Sequence, residues 1–239
     1  MKYIDTDKIN GIKSFLTGNI QDKYAVLGIS SGIDSSLVLA LLSLSINKDK
    51  IKAIFMPDKF TKESDYNDIK LLSEFAGVNI ETVNIENIFL SYKNTLKTND
   101  VKIEGNIRSR IRANILYYYA NKLNGLVIGT TNRTEYLLGY YTKYGDGACD
   151  IEPIENLYKT DVRGMSKELN LPESIINKKP SAGLWDNQYD EDEFKMTYDE
   201  LDSILKNVFD KNIINNGYEK VIETYIKSMH KREMPKSMR

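Results

Sequence analysis

Short apolar runs alternate, in the first half of the chain, with longer segments whose apolar residues recur at helical spacing. The short runs predict strands at Tyr24–Ile29, Lys52–Met56, Asn79–Ile85 and Leu126–Gly129. The longer segments predict helices at Thr6–Gly18, Ile33–Ile46, Lys62–Ala76 and Ile103–Asn124. Strands that alternate with helices indicate parallel βαβ units with right-handed crossovers. We therefore predict an α/β fold with a Rossmann-like parallel sheet flanked by helices.

The pattern changes after Thr130, where a polar loop at Tyr141–Asp150 precedes several helical segments. Two longer helices are predicted near Tyr198–Phe209 and Tyr218–Lys231. The sequence contains no internal repeat and no linker rich in Pro, Gly or Ser. We therefore predict that residues 1–239 form a single domain, in which the second half packs on the sheet built by the first.

Composition and net charge indicate which classes of function and which cellular compartment suit the chain. Hydrophobic residues make up 41% of the 239 residues and charged residues 28%, and the net charge of -1 gives no basic footprint for nucleic acid. Cys149 is the one cysteine, which excludes an internal disulfide and is typical of a reducing compartment. The N-terminal segment carries charges throughout, and no run is apolar enough to span a bilayer. We expect a cytoplasmic protein that binds neither nucleic acid nor membranes.

A cluster of small polar residues, ISSGIDSS, separates the first predicted strand from the helix that follows it. Ligands of open α/β sheets bind beyond the carboxyl ends of the strands, and the free N–H groups of a helix N-terminus favour phosphate. Gly32 allows close backbone approach, and the serine hydroxyls are further donors. Asp34 adds a carboxylate where phosphate is expected, which indicates a Mg²⁺ ion between the two anions. The alternative is that these side chains only cap the helix.

Further polar residues follow the fourth predicted strand and are expected at the same edge of the sheet as Asp34. Glu135 would supply a second carboxylate to Mg²⁺, and the alternative is a helix-terminal carboxylate in solvent.

Three arginines lie close together on one predicted helix, at Arg108, Arg110 and Arg112. They are spaced by two residues, so they cannot all share one face of the helix. One or two of them would reach the site, and the others are expected at the surface.

Longer motifs carry a resemblance to a known family. The ISSGIDSS stretch resembles the S-G-G-x-D-S loop of the PP-loop ATP pyrophosphatases, which have the adenine nucleotide alpha-hydrolase-like fold. Ser31 stands where that signature has its first Gly, so the loop would be strained if this position needs a positive φ. The motifs N-x-x-x-R-x-R, GTTNRTE, GYYTKYGDG, PIENLYK and PSAGLWDNQYDEDEF and the pair His230–Lys231 resemble the NAD synthetase family. The resemblance runs in consistent order from about Gly28 to Lys231.

That resemblance implies an AMP-forming ligase acting in the last step of NAD biosynthesis. The carboxylate of deamido-NAD⁺ would attack ATP and release pyrophosphate, and ammonia would then displace AMP to give NAD⁺. The implied catalytic residues are Asp34, Glu135, Lys159 and Asp150, of which Asp34 and Glu135 would bind Mg²⁺. The implied ATP-binding residues are Gly28, Ile29, Ser30, Ser31, Gly32, Ile33, Asp34, Ser35, Thr130, Lys159 and Ser181. The implied deamido-NAD⁺-binding residues are Arg110, Lys143, Asp150, His230 and Lys231. Taken without its context, Lys159 could equally be a solvated surface lysine.

The same resemblance implies a lid, a dimer and a nitrogen source. Residues 178–187, with Trp185 as an apolar anchor, would close over ATP. The long predicted helix would contribute to a homodimer contact through the stripe Ile107, Ile111 and Ile115 with its tyrosines, although core packing explains that stripe equally well. Ammonia is expected rather than glutamine, since few residues precede the ATP loop and a glutaminase domain would not fit there, unless a separate glutaminase subunit delivers the ammonia.

Two rival functions stay open. The chain could be another PP-loop ATP pyrophosphatase that adenylates a different carboxylate or carbonyl substrate, such as a tRNA thiolase or lysidine synthetase. The net charge of -1 and the single cysteine count against these RNA-modifying enzymes. It could instead be a nucleotide-binding regulatory protein whose loop has decayed, but a decayed site should lose its charged residues first. Those residues are present as Asp34, Glu135, Lys143, Asp150 and Lys159.

Overall fold

The strands and helices follow the alternating order that the hydrophobic pattern predicts. The computed structural model describes residues 6–181, 183 and 190–238. The strands are β1 (Tyr24–Ile29), β2 (Ile51–Phe55), β3 (Ile80–Thr82) and β4 (Gly125–Ile128). The helices are α1 (Thr6–Ile20), α2 (Ile33–Ser43), α3 (Glu63–Ala76), α4 (Glu86–Leu96), α5 (Val101–Leu123), α6 (Arg133–Leu138), α7 (Lys159–Glu168), α8 (Glu173–Ile176), α9 (Asp190–Phe194), α10 (Tyr198–Leu205) and α11 (Glu219–Ser228). Short 3-10 turns at Lys48–Lys50 and Met229–Lys231 and a π turn at Lys206–Asp210 complete these elements.

All four strands are parallel and lie in the order β3-β2-β1-β4. The chain therefore moves outward from β1 through β2 to β3 and then returns to the other side of β1 as β4. Ile29 at the end of β1 lies opposite Phe55 of β2, and Leu27 lies opposite Ile128 at the end of β4. The loops after β1 and β4 consequently adjoin where the strand order reverses, which is the position that favours ligand binding in such sheets.

Helices cover both faces of the sheet because the strands alternate their side chains between two cores. Ala25, Leu27 and Ile29 of β1 pack with α1, α2, α3 and α7. Val26 of the same strand packs on the opposite face with α4 and α5. A third buried cluster joins α6, α10 and α11 beyond the sheet. The prediction of an α/β fold with a helix-flanked parallel sheet is thus confirmed.

Several boundaries differ from those that the sequence predicts. β3 is three residues long rather than Asn79–Ile85, since the backbone beyond it bonds irregularly to the end of β2 and to Pro57. The sequence pattern does not predict α4, because Phe89 is the one buried residue of this helix and stands among many polar residues. The predicted helix at Tyr198–Phe209 is α10 followed by the π turn.

The apolar stripe of α5 packs mainly inward. Ile111 is buried, and Ile107 and Ile115 lie partly buried against the core between α5 and the sheet. Core packing therefore accounts for these three residues, whereas Tyr118 is 57% exposed. None of the helices in the described ranges combines the length and the apolar character needed to cross a membrane.

Candidate active site

The loop after β1 is held together by its own serines. The hydroxyl of Ser35 accepts a hydrogen bond from the N–H of Ser30 (3.2 Å) and donates to the carbonyl of Gly32 (3.1 Å). Ser36 donates to the same carbonyl at 2.8 Å. Gly32 is the N-cap of α2, so the first turn of that helix directs its N-terminus into the space beyond the sheet. The loop and helix end therefore have the shape and free N–H groups of a phosphate cradle, and phosphate binding there stays a prediction.

Ser31 adopts the left-handed conformation that glycine occupies most easily. Its φ is 62°, and its side chain is 1% exposed. The hydroxyl donates to Asp65 (3.0 Å) and accepts from the ammonium of Lys178 (2.9 Å). Ser31 therefore adopts the positive φ that the glycine of the loop signature would favour. Two side-chain hydrogen bonds offset a conformational cost of about 1 kcal/mol.

Three charged residues meet beside this loop. The ammonium of Lys159 at the start of α7 lies 2.5 Å from Asp34 Oδ2 and 3.2 Å from Glu135 Oε1. The other oxygen of Asp34 accepts a 2.8 Å hydrogen bond from the side-chain amide of Asn132. Both oxygens of Asp34 are thus bound by side chains from other elements, which helix capping does not explain. Lys159 is 3% exposed, which contradicts its interpretation as a surface lysine.

Glu135 is built into the first turn of α6 by a capping box. Asn132 accepts from the N–H of Glu135 at 3.0 Å, and Glu135 accepts from the N–H of Asn132 at 3.3 Å. Its side chain is 17% exposed, so it is not the solvated helix-terminal carboxylate considered as the alternative. Burial raises the pKa of Glu135, and the charge of Asp34 adds to this while Lys159 opposes it. Burial would lower the pKa of Lys159, but Asp34 and Glu135 raise it, so the ammonium stays charged.

The arrangement fits a magnesium ion. Two carboxylates converge on one positive charge, and Mg²⁺ is commonly bound through one or two carboxylates with water and substrate phosphates completing its shell. In the part of the chain that the structure describes, no group of three or more His, Cys, Asp or Glu side chains forms a self-sufficient metal site. Asp34 and Glu135 could therefore hold Mg²⁺ together with a bound nucleotide.

A cavity of about 830 Å³ opens over the loop and these charges. It is lined by every residue implied for ATP, namely Gly28, Ile29, Ser30, Ser31, Gly32, Ile33, Asp34, Ser35, Thr130, Lys159 and Ser181, and by Glu135. Residues far apart in the chain thus meet at one place. Its size suits a nucleotide, because pockets for small ligands are about 300–1,000 Å³.

The residues implied for deamido-NAD⁺ divide into two groups. Arg110 donates to the carbonyl of Lys143 (3.3 Å), and the ammonium of Lys143 donates to the carbonyl of His230. Lys231 lines the cavity and donates to the carbonyls of Gly139 (2.7 Å) and Tyr141 (2.6 Å). These hydrogen bonds link Arg110, Lys143 and the pair His230–Lys231 into one group, here called the basic rim, of which Lys231 lines the cavity. Burial lowers the pKa of Lys231.

Asp150 lies apart from that rim and outside the cavity lining. It is exposed, and its carboxylate accepts from the N–H of Val127 (2.8 Å) and from the hydroxyl of Tyr117 (3.5 Å). Within the described chain it meets neither Lys159 nor the basic rim. Trp185 and most of the predicted lid segment lie outside the described residues, while Ser181 is described and exposed.

The arginines of α5 correct one expectation. Arg108 is 1% exposed rather than at the surface: its guanidinium lies 3.3 Å from Asp58 Oδ2 and over the ring of Phe89. Arg112 lines the cavity and donates to Asp58 (2.9 Å) and to the carbonyl of Met56 (3.0 Å). Sequence reasoning missed Asp58, although its place just after β2 and Pro57 puts it at the ligand edge.

Asp190 is a second residue that sequence reasoning missed. It lines the cavity at 3% exposure and accepts hydrogen bonds from Tyr140 (3.1 Å) and Tyr198 (2.9 Å). Burial raises its pKa, and Lys159 opposes that shift. The Q-x-D-E portion of the 180–194 segment contains this residue, so the motif was the available signal.

Known proteins resemble the chain over nearly its whole length. A family model described as NAD synthase matches residues 8–235. An NH(3)-dependent NAD(+) synthetase from Picrophilus torridus is 62% identical over 95% of this chain and 92% of the relative. One from Thermoplasma acidophilum is 51% identical over 97% of each.

Solved structures also resemble the chain over nearly its whole length. NMN synthetase from Francisella tularensis superposes with a TM-score of 0.89 at 31% identity, covering 99% of each chain. The NH3-dependent NAD synthetase from Campylobacter jejuni, in complex with the nitrate ion, superposes with a TM-score of 0.83 at 28% identity. That likeness covers 99% of this chain and all of the other.

Proposed function

The chain belongs to the NAD synthase family, and we propose that it is an ammonia-dependent NAD⁺ synthetase, a ligase that uses ATP. The observation that carries this proposal is the convergence of Asp34, Glu135 and Lys159 beside the phosphate cradle. Relatives that share half or more of their residues with this chain are ammonia-dependent NAD⁺ synthetases, which supports the nitrogen source and argues against the tRNA-modifying rivals.

The reaction would have two steps. In the first, the nicotinate carboxylate of deamido-NAD⁺ attacks the α-phosphorus of ATP, and the bond to the β-phosphate oxygen breaks to release pyrophosphate. In the second, ammonia attacks the activated carboxyl carbon, AMP leaves with its bridging oxygen, and the nitrogen loses a proton to yield the amide of NAD⁺. Neither step needs a nucleophilic side chain, since the protein has to position two substrates and stabilise developing charge.

The loop after β1 and Lys159 would act on different parts of the ATP phosphates. Backbone N–H groups at the start of α2 and the hydroxyls of Ser30 and Ser35 would hold the phosphates that leave as pyrophosphate. Lys159 would stabilise negative charge on the reacting phosphate from its buried position. Asp34 and Glu135 would hold Mg²⁺, which when bound would balance the charge of the phosphates.

The second substrate would lie along the basic rim. Hydrogen bonds to backbone carbonyls link the residues of this rim, and the group reaches the cavity at Lys231. Deamido-NAD⁺ carries phosphate and carboxylate groups that basic side chains attract. Asp150 lies apart from the basic rim. It would contact the nicotinate group of the substrate only if a further structural element held that group close to it.

A homodimer would supply such an element. α5 leaves Ile103 and Tyr118 more than half exposed, and Leu96 of the neighbouring helix is 59% exposed. Large exposed apolar side chains on adjoining helices favour association. We further propose that residues 1–239 act as one domain in the cytoplasm.

A coupled assay tests the proposed function. The purified protein is given Mg-ATP, ammonium and deamido-NAD⁺, and NAD⁺ is detected with alcohol dehydrogenase. Asp34→Asn should abolish product, whereas Asp22→Asn, at an exposed aspartate in the turn after α1, should leave it unchanged. A folded, ATP-binding protein that forms no NAD⁺ would contradict the proposal. A parallel arm with deamido-NMN tests the alternative suggested by the likeness to NMN synthetase.

A further inference from the structure

Asp202 lies on α10, outside the motifs of the sequence and outside the cavity lining, yet it is 2% exposed. We propose that Asp202 is a positioning residue of the reaction. Its carboxylate holds the first turns of α6 and α7 in the register that brings Lys159 to Asp34 and Glu135. This inference rests on the proposed function, because its effect is measured on that reaction.

Both oxygens of Asp202 are engaged with the two helices that carry site residues. Oδ1 accepts a 2.5 Å hydrogen bond from the hydroxyl of Thr134, the residue before Glu135 on α6. Oδ2 accepts a 2.8 Å hydrogen bond from the N–H of Thr160, the residue after Lys159 on α7. One side chain therefore touches the immediate neighbours of both Glu135 and Lys159.

Thr134 closes the link between the two helices. Its hydroxyl accepts a 3.0 Å hydrogen bond from the N–H of Lys159 and donates to Asp202. Because an ionised carboxylate can only accept, Asp202 obliges the hydroxyl to donate toward it and leaves a lone pair for Lys159. Thr134 is 0% exposed, so both bonds lie away from bulk solvent. The carboxylate thus determines the direction of the hydroxyl that holds the backbone of Lys159.

Asp202 is itself held firmly. Its neighbours Tyr198, Leu201 and Leu205 on α10 are buried in the core shared with α6 and α11. The carboxylate also lies at the N-terminus of α7, where the helix dipole favours a negative charge. Packing and electrostatics therefore place a fixed acceptor next to α6 and α7 but outside the cavity lining.

A positioning role makes a specific kinetic prediction. Asp202 does not line the cavity, so its loss should leave the surface that binds ATP largely unchanged. A displaced Lys159 ammonium would instead stabilise the transition state less well. A displacement of about 1 Å can lower a rate by about 10²-fold, so kcat should fall by up to about 10²-fold, with a smaller change in the KM for ATP.

The experiment compares Asp202→Asn, Thr134→Val, their double variant and Thr134→Ser in the coupled assay. Asp199→Asn, at an exposed aspartate on the same helix, is the matched control. Urea unfolding reports the stability of each variant. Competitive labelling of lysines, read by mass spectrometry on the protein without substrates, reports the reactivity of Lys159 separately from the reaction.

We expect kcat to fall in both single variants and to fall no further in the double variant. Thr134→Ser keeps the hydroxyl that Thr134→Val lacks, so its kcat should be close to that of the wild type. Lys159 labelling should accelerate in the two impaired variants and not in Asp199→Asn. Unchanged kcat and labelling in Asp202→Asn and Thr134→Val would overturn it. So would losses that track stability alone without rescue by serine. If the wild type makes no NAD⁺, the proposed function fails, and the labelling results alone decide whether Asp202 positions Lys159.

Discussion

Lys178 donates a 2.9 Å hydrogen bond to the hydroxyl of Ser31 and so joins the segment before Pro180 to the phosphate loop. The same ammonium is paired with Asp65 at 2.6 Å and with Asp68 at 2.8 Å. Burial would raise the pKa of Asp65, but the hydrogen bond and charge of Lys178 hold that pKa below its usual value. Ser31, which stands where the loop signature has glycine, is thus held by hydrogen bonds to Asp65 of α3 and to Lys178.

Substitutions at Ser31 should separate its conformation from its hydroxyl. Ser31→Ala keeps a side chain at positive φ and loses both hydrogen bonds, so it should lower the free energy of unfolding by about 1–2 kcal/mol and raise the KM for ATP. Ser31→Gly loses the same bonds but relieves the backbone, so its loss of stability should be smaller. Urea unfolding and ATP titration of the rate measure both effects. A glycine variant less stable than the alanine variant would contradict this account.

Removing the charge of Lys159 should damage both stability and rate. Lys159→Met leaves Asp34 and Glu135 facing each other in a buried site, which should cost about 3 kcal/mol of folding free energy. Loss of a buried cation at the reacting phosphate should lower kcat by about 10²–10³-fold. Lys167→Met, at an exposed lysine on the same helix, should change neither quantity. A Lys159→Met enzyme of near-normal kcat would exclude this role.

Glu152 should make the protein less stable as the pH rises. Its carboxylate accepts from the N–H of Thr131 (3.1 Å) and from the thiol of Cys149 (3.2 Å). Burial raises the pKa of Glu152 to about 7. The folded state therefore binds the proton more tightly than the unfolded state does, so stability is fully present below the ordinary glutamate pKa and is lost as the pH rises through about 7.

The test is urea unfolding of the wild type and Glu152→Gln from about pH 5 to about pH 8, the interval over which such a group titrates. Glutamine cannot ionise, so the variant should lose less stability over that interval than the wild type. Glu168→Gln, at an exposed glutamate, should follow the wild type throughout. Parallel curves for the wild type and Glu152→Gln would show that Glu152 does not titrate as its burial requires.

The proposed dimer contact is tested by charge. Ile103→Glu and Tyr118→Glu each place a carboxylate on the exposed face of α5, where it would be desolvated in an interface. Sedimentation velocity should give a mass near twice 27.4 kDa for the wild type and half of that for the variants. A monomeric wild type would contradict the homodimer, and dimeric variants would place the contact elsewhere.

The sequence alone predicts the four strands and most of the helices, though not α4, together with the polar loop after β1 and a shared sheet edge for Asp34 and Glu135. Each of these depends on local information: the period of the apolar residues, or a motif directly after a strand. The edge at which Asp34 and Glu135 meet follows from parallel topology alone, because loops after neighbouring strands share one side of a sheet. The family resemblance was likewise readable from contiguous motifs.

Three-dimensional packing determines which charges are buried and which partners they have. Arg108 appears as one of three similar arginines in the sequence, yet its packing over Phe89 makes it a core residue. Asp202 acts through Thr134, 68 residues away, and no periodicity or motif connects them. Such contacts depend on how α6, α7 and α10 pack in three dimensions. A side chain at one helical spacing can face solvent, core or substrate, and only the packed chain selects among these environments.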